Sequence, residues 1–485
     1  MYEVAKQIIH CDICQCFKQV LAGITLLLLS VSSAVFASED YVAPLQVEKS
    51  ILLGNSMDNY LSAMVLYEPD QSKYFIGESD GDAFSMDWEG ENLEVPVSGK
   101  FIMKLDHEDN LALINQFEGT GQYRPVAVET DLQGNLYILG QIYGAVDLDP
   151  GPGVVERNSG SFTNICLVKW SAAGEYLWDM MLYGQYHDFP GALTVTKDNN
   201  VCITGEFNDG VDFNPGPEVL ALHSQARRTN VFAATYSQDG DFLWAGSLEC
   251  SNRYTSAEAV VTDSQGAIYM AGHFINSIDV DPGPDVQQLH RQSDVDIYVI
   301  KWNAQGALEW AFSLPTRVRY HTLSKGLALA VDTNDNLVIY GEVASGADLD
   351  PGPGGYGNHN GGGLLMQLDK DMNLNWAHVI ERASHESNSI QVDQWGNIYA
   401  HGFFDNYVDF DPTSDALRYE AGALRENGYL AKWDQDGQFQ WASLNHFINN
   451  ITLDGLGDLY VSGSFEYRYI LPPAPCPKSA WGFGE

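Results

Sequence analysis

Acidic side chains two residues apart recur down this chain: Asp147 with Asp149, Asp212 with Asn214, Asp279 with Asp281, Asp348 with Asp350, and Asp409 with Asp411. In an extended segment residues i and i+2 project to one side, so each pair aims two oxygen-bearing groups the same way. With loop carbonyls they offer the hard oxygen ligands that calcium takes, which makes the nine aspartates named here candidate calcium ligands. Two acids are few for an ion that wants about six to eight oxygens, and no copy extends into an Asp-x-Asp-x-Asp-Gly series. Asp149-Pro150-Gly151-Pro152 and its relatives also read as a type II turn, with Pro second and Gly third. There the acids bind backbone amides or the strand lysines Lys169, Lys301 and Lys432, and this is the preferred reading.

A second set lies in the segments between repeated units and differs from one to the next. It holds Tyr123 and Arg124, then Tyr183, Tyr186, His187 and Asp188, then Arg253 and Tyr254. Arg317, Arg319, Tyr320 and His321 follow, then Glu381, Arg382, His385 and Glu386, and finally His446. Acid, base and aromatic groups together suit a sugar-binding surface, or a lyase or hydrolase using His or Tyr as the base. The bland alternative is an ordinary polar loop face. No nucleophile elbow, HExxH, phosphate loop or Ser-His-Asp spacing occurs, so no catalytic residue is assigned.

These groups are positioned by a repeat. The phrase Val146-Asp147-Leu148-Asp149-Pro150-Gly151-Pro152 returns at Val211, Ile278 and Ala347, and in worn form at Val408. Trp178, Trp244, Trp310, Trp376 and Trp441 step by 65 or 66 residues. A glycine closes an apolar run at Gly77, Gly140, Gly205, Gly272, Gly341, Gly402 and Gly463, which implies seven units. Within one unit, Ala259 to Thr262 and Ala267 to Gly272 flank the turn Asp263-Ser264-Gln265-Gly266, whose last residue needs positive φ. A second hairpin follows, Ile297 to Trp302 and Ala307 to Phe312 around Asn303-Ala304-Gln305-Gly306. Each unit is thus four antiparallel strands, A to D, with no long amphipathic helix.

Such a sheet cannot bury both faces alone, so neighbours must stack, and radial stacking gives a seven-bladed β-propeller. A linear solenoid has much shorter coils than this period. The last unit lacks its strand D, and residues 45–50 are expected to complete it and close the ring. The A–B and C–D turns then share one face, and Asp131, Asp198, Asp263, Asp332, Asp393 and Asp454 open the A–B turns. The B–C and D–A connections share the other face, where function is expected. The Trp series, in one register of strand D, reads as packing between blades.

Residues 20–35 form an apolar core after Lys18 and end at Val35-Phe36-Ala37, a secretory signal cut before Ser38. The expected layout is a leader at 1–37, one propeller domain at 38–470 and a Pro-rich tail at 471–485 that adds a short last-blade strand. No later apolar run reaches membrane-spanning length. Cys11, Cys14 and Cys16 fall in the leader; Cys166 and Cys202 suit buried thiols, and a bridge between Cys250 and Cys476 stays open. The formal charge of −40 argues against nucleic acid and anionic membranes as partners.

The combination Gly134-Asn135-Leu136-Tyr137, Asp147 to Gly153, a Lys-Trp pair and a closing Leu-x-Trp-Ala resembles the bacterial seven-bladed β-propeller repeat called SBBP. The resemblance covers about residues 60–465. It implies a secreted, periplasmic or outer-surface bacterial protein and leaves activity open, because fold does not fix function. The combined expectation is an all-β binding protein without catalysis, its partner an extracellular protein or glycan and calcium its one candidate cofactor. The alternative is an extracellular carbohydrate-active enzyme with its site on the D–A loops.

Overall fold

The computed structural model describes residues 59–465 with short interruptions, the longest at 317–326, together with strands at 25–26, 29–31 and 52–53. Every element in it is a β-strand, and every pairing between strands is antiparallel. The second repeat shows the unit plainly. Strands Gln122–Thr130, Leu136–Tyr143, Asn164–Trp170 and Tyr176–Leu182 pair in that order as one sheet. Repeats one, three and four copy it, and so do five and six, where D and A run on as a single strand, Leu374–Val392.

Burial follows strand position. Strands C at Asn164–Trp170, Asp296–Trp302 and Gly362–Leu368 are buried at every residue, whereas strand D alternates. A central strand covered on both faces needs an unbroken apolar run, as these sequences supply. The cover is the next sheet. Neighbouring A strands touch in sequence order, and the last, Ile448–Leu453, returns to the first, Asn59–Tyr67.

The tryptophan series joins sheets, as the repeat predicts. The indole N–H groups of Trp178, Trp310 and Trp376 donate to the carbonyls of Gln238, Lys370 and Gln435 in the C–D turn of the following repeat, at 3.0, 3.1 and 3.1 Å. Trp244 lies so close to Gly306 that a Cβ there would sit 1.9 Å from the ring, and that glycine also has φ +82°. Only glycine meets both demands. Lys169 and Lys301 reinforce the seam, donating to the same carbonyls of Gln238 and Lys370.

The recurring acidic phrase forms a small extra hairpin that sequence reasoning missed. Ala145–Asp147 pairs with Glu156–Asn158, Gly210–Asp212 with Ala221–His223, and Ser277–Asp279 with Gln288–His290. The residue between the two acids is the reason. Leu148, Phe213, Val280, Leu349 and Phe410 are all buried in the core. Their backbone carbonyls accept from strand-C aromatics: Trp170 to Leu148, Tyr236 to Phe213 and Trp302 to Val280.

One expectation changes and another falls outside the described residues. The third A–B turn opens at Thr196, whose hydroxyl accepts the Asn200 N–H, and not at Asp198. Asn199 takes the positive φ there, a role its side chain tolerates, which moves the turn by two residues. Residues 45–50 lie outside the described residues. The outer edge of Leu459–Phe465, where a strand C would sit, pairs with Thr25–Leu26 and Leu29–Val31, inside the segment read as a leader. An unpaired strand edge accepts whatever extended segment reaches it.

Replacing Trp310 by Ala is expected to cost about 3 kcal/mol of stability in urea unfolding, at the low end for a large ring because the indole is half-buried. Leu243→Ala, a half-exposed side chain on the corresponding strand, is expected to change stability by less than about 0.5 kcal/mol.

Candidate functional site

Of the connection residues singled out by sequence, the structure brings two together and moves one into the core. Tyr123 is not on a loop face; it is buried in strand Gln122–Thr130, its hydroxyl donating to the carbonyls of Ile138 and Cys166 at 3.0 and 3.1 Å. A phenol whose oxygen has two carbonyl partners can be buried as ordinary core, and Tyr123 is withdrawn as a ligand contact. Arg124, next along the same strand, is exposed and donates to the Gln122 side chain. Tyr254 is exposed in the connection that leads into strand Ala259–Thr262. Arg253, Arg317, Arg319, Tyr320, His321 and His446 lie outside the described residues, as do the side chains of Arg382, His385 and Glu386.

Tyr186 and His187 belong to a cluster. The Phe162 ring, at the end of the B–C connection of repeat two, lies 5.3 Å from His187 at 80° and 6.0 Å from Tyr186. His187 Nδ1 sits 2.8 Å from the Thr163 hydroxyl and also accepts the Thr163 amide. Tyr143, Tyr183 and Phe189, which come from the same connections and adjoining strand ends, are exposed as well. An exposed aromatic side chain alone means little, but this many at one boundary between repeats does. The sequence signal was there in Tyr183, Tyr186 and His187; Phe162 and Tyr143 were missed because their neighbours read as turn residues.

Beneath the cluster lies Asp188, with no exposed surface. Its Oδ1 accepts the Asn208 amide at 2.9 Å, and Oδ2 has no hydrogen-bond partner. Burial pushes this carboxyl up to about 7, against the opposing pull of the Asn208 N–H. The Asn208 side chain donates to the His187 carbonyl at 2.7 Å, which ties the loop to the same point.

The Asp-x-Asp pairs are used locally. Asp147 Oδ1 accepts the amides of Asp149 and Val155, and Asp149 Oδ1 accepts that of Gly151. Asp212 with Asn214, Asp279 with Asp281 and Asp348 with Asp350 repeat the pattern. Asp409 ends a strand and Asp411 lies outside the described residues. Among the described residues no three His, Cys, Asp or Glu side chains gather as a metal group. Among the described residues no ion pair joins Lys169 or Lys301 to these acids. Lys169 and Lys301 pair instead with the A–B turn acids Asp131 and Asp263, at the opposite end of the sheet.

One further polar group was not foreseen. Glu258 Oε1 binds the Ser256 hydroxyl at 2.5 Å and His273 Nδ1 at 2.6 Å. Burial, and then the charge of Glu258, push Glu206 up to about 8. Cys166, Cys202 and Cys250 are buried, and Cys476, the partner considered for Cys250, lies outside the described residues.

No family model matches the chain. It is 22% identical over 442 residues to an uncharacterized WD repeat-containing protein of Acanthamoeba polyphaga mimivirus, an alignment covering 76% of this chain and 31% of that protein. This chain therefore spans under a third of that relative's length. The crystal structure of the polysaccharide lyase Uly1 aligns over 86% of this chain and 99% of its own, at 8% identity and a TM-score of 0.37. That of a Bacteroides caccae protein of unknown function aligns over 71% and 89%, at 10% identity and a TM-score of 0.33. Both TM-scores are too low to carry an inference. The WD-repeat relative agrees with the repeated β-structure described above.

Because the first acid of four of the pairs, Asp147, Asp212, Asp279 and Asp348, holds two loop amides, a chelator is expected to leave the melting temperature unchanged. A rise of several degrees on adding calcium would instead show native-state binding at these loops.

Proposed function

We propose that the chain is a closed seven-bladed β-propeller, secreted after loss of residues 1–37, that binds a glycan through its B–C and D–A face without acting on it. The domain spans 38–470 with the tail 471–485 beside it, and residues 45–50 complete the last blade once the leader is gone. The cycle of contacts among A strands supports closure, and so does Lys73 in the first repeat, placed 5.2 Å from the Tyr460 ring in the last. The all-β repeat, its leader-like start and its acidity suit an extracellular or cell-surface setting.

One observation carries the binding role: the exposed cluster of Phe162, Tyr186 and His187 at a single boundary between repeats. Aromatics in the repeat register pack blades; these break the register and face solvent. Flat apolar rings beside a few polar groups suit the C–H faces and hydroxyls of a sugar. The net charge of −40 favours a neutral or basic glycan over an anionic one.

The second reading, an extracellular lyase or hydrolase, draws on Glu206 and Glu258. A carboxyl raised to about 8 next to another carboxylate is an arrangement general acids use.

Glycan-array binding followed by calorimetry on the mature chain tests both. We expect a neutral or basic glycan whose affinity falls at least tenfold, about 1.4 kcal/mol, in Tyr186→Ala and in Phe162→Ala, with the circular dichroism spectrum unchanged. Affinity unaffected by both substitutions would remove the patch as the site. Product release from a polysaccharide, abolished by Glu206→Gln, would replace the first reading with the second.

A further inference from the structure

We propose that Asp188 is a proton-operated latch under the aromatic patch: neutral, it holds loop 183–187 closed with Tyr186 and His187 stacked on Phe162, and ionised, it releases the loop. As regulation of ligand binding this rests on the glycan-binding reading; the latch itself does not.

The geometry starts with the uncompensated oxygen. Asp188 is fully buried, one oxygen holds the Asn208 amide, and the other holds nothing. Gly184 closes over that second oxygen so tightly that a Cβ at this position would sit 2.0 Å from it. The groups around Asp188 are all neutral. Asn208 stands at the end of its own B strand, Gln141 donates to its backbone carbonyl from repeat two, and Thr163 accepts its backbone amide. Asn164, which starts strand C of repeat two, accepts the Gly184 amide. The titratable neighbour is His187, and its Nδ1 is turned to Thr163. No described contact of Asp188 comes from a lysine, an arginine or another carboxylate.

A carboxylate buried with one amide partner is costly, and the nearest relief is water. Water reaches Oδ2 once Gly184 lifts. Lifting Gly184 breaks its bond to Asn164 and loosens the loop that the Asn208 side chain pins at His187. The charge on Asp188 and the position of Tyr186 and His187 are therefore coupled. The sign follows from the raised value. The closed loop binds the proton more tightly than an open one with an ordinary aspartate, so closure is favoured at low pH. It is lost as pH rises from the ordinary aspartate range towards about 7, by up to tenfold in the closed-to-open ratio per unit, and the loss levels off above that.

Hydrogen-exchange protection of residues 183–189, measured on the full chain between pH 5.5 and 8.5 and corrected for intrinsic exchange, reads the latch without a ligand. We expect protection to fall roughly tenfold between pH 5.5 and 6.5 and to level off above about pH 7 in the native chain, and to stay level throughout in Asp188→Asn, which is isosteric and uncharged. Gly184→Ala, which cannot close over the carboxyl, is expected to show low protection at every pH. Level protection in the native chain, or an equal fall in Asp188→Asn, overturns the latch. Neutral-glycan binding measured alongside separates the two ideas. Binding at no pH defeats the patch as a glycan site and leaves the latch standing, whereas binding that persists at pH 8.5 with the loop open overturns the regulatory claim.

Discussion

A four-stranded antiparallel sheet with apolar residues on both faces of its central strands is stable only between neighbours, and this constraint organises the whole molecule. Strands C with every residue buried leave no face for water. The seam after the second repeat shows how contact is made specific as well as apolar. An indole from one repeat rests on a turn glycine of the next and donates to that turn's carbonyl, while a strand-C lysine reaches the same carbonyl. The lysine also lies 4.5 Å over Tyr137 in its own sheet and pairs with Asp131. Charge, ring and glycine together fix the angle at which one sheet meets the next.

The acidic phrase belongs to the same logic. Its middle residue fills the core, its carbonyl satisfies a buried indole or phenol, and its flanking acids cap the amides of their own loop. A motif that repeats in register and is consumed by its own fold is architecture. The proposed site lies where the register fails: the Phe162, Tyr186 and His187 cluster over Asp188 occurs at one boundary between repeats.

The strands, their pairing into hairpins and the turn glycines were legible because they obey short-range rules. Gly266 and Gly306 do carry the positive φ that the Asp-x-x-Gly and Asn-x-x-Gly turns require. The candidate site was legible in part. Tyr186 and His187 stood out by composition, but sequence could not tell an exposed tyrosine from Tyr123, which has the same local setting and buries its hydroxyl against two carbonyls. Nor could it show that Asp188 lies buried with a bare oxygen, because burial there is created by Gly184 and by residues of the preceding repeat. The extra hairpin escaped notice because its strands are only three residues long.

Whether the sheets close on themselves is decided most directly by distances measured with pulsed electron paramagnetic resonance. Spin labels at Asp70, Leu132 and Leu456 sit on exposed A–B turns of the first, second and last repeats. The account predicts that the separation between positions 70 and 456 matches that between 70 and 132, since both pairs join adjacent sheets. A separation between 70 and 456 several times longer, as an open array of the same sheets would give, would contradict it.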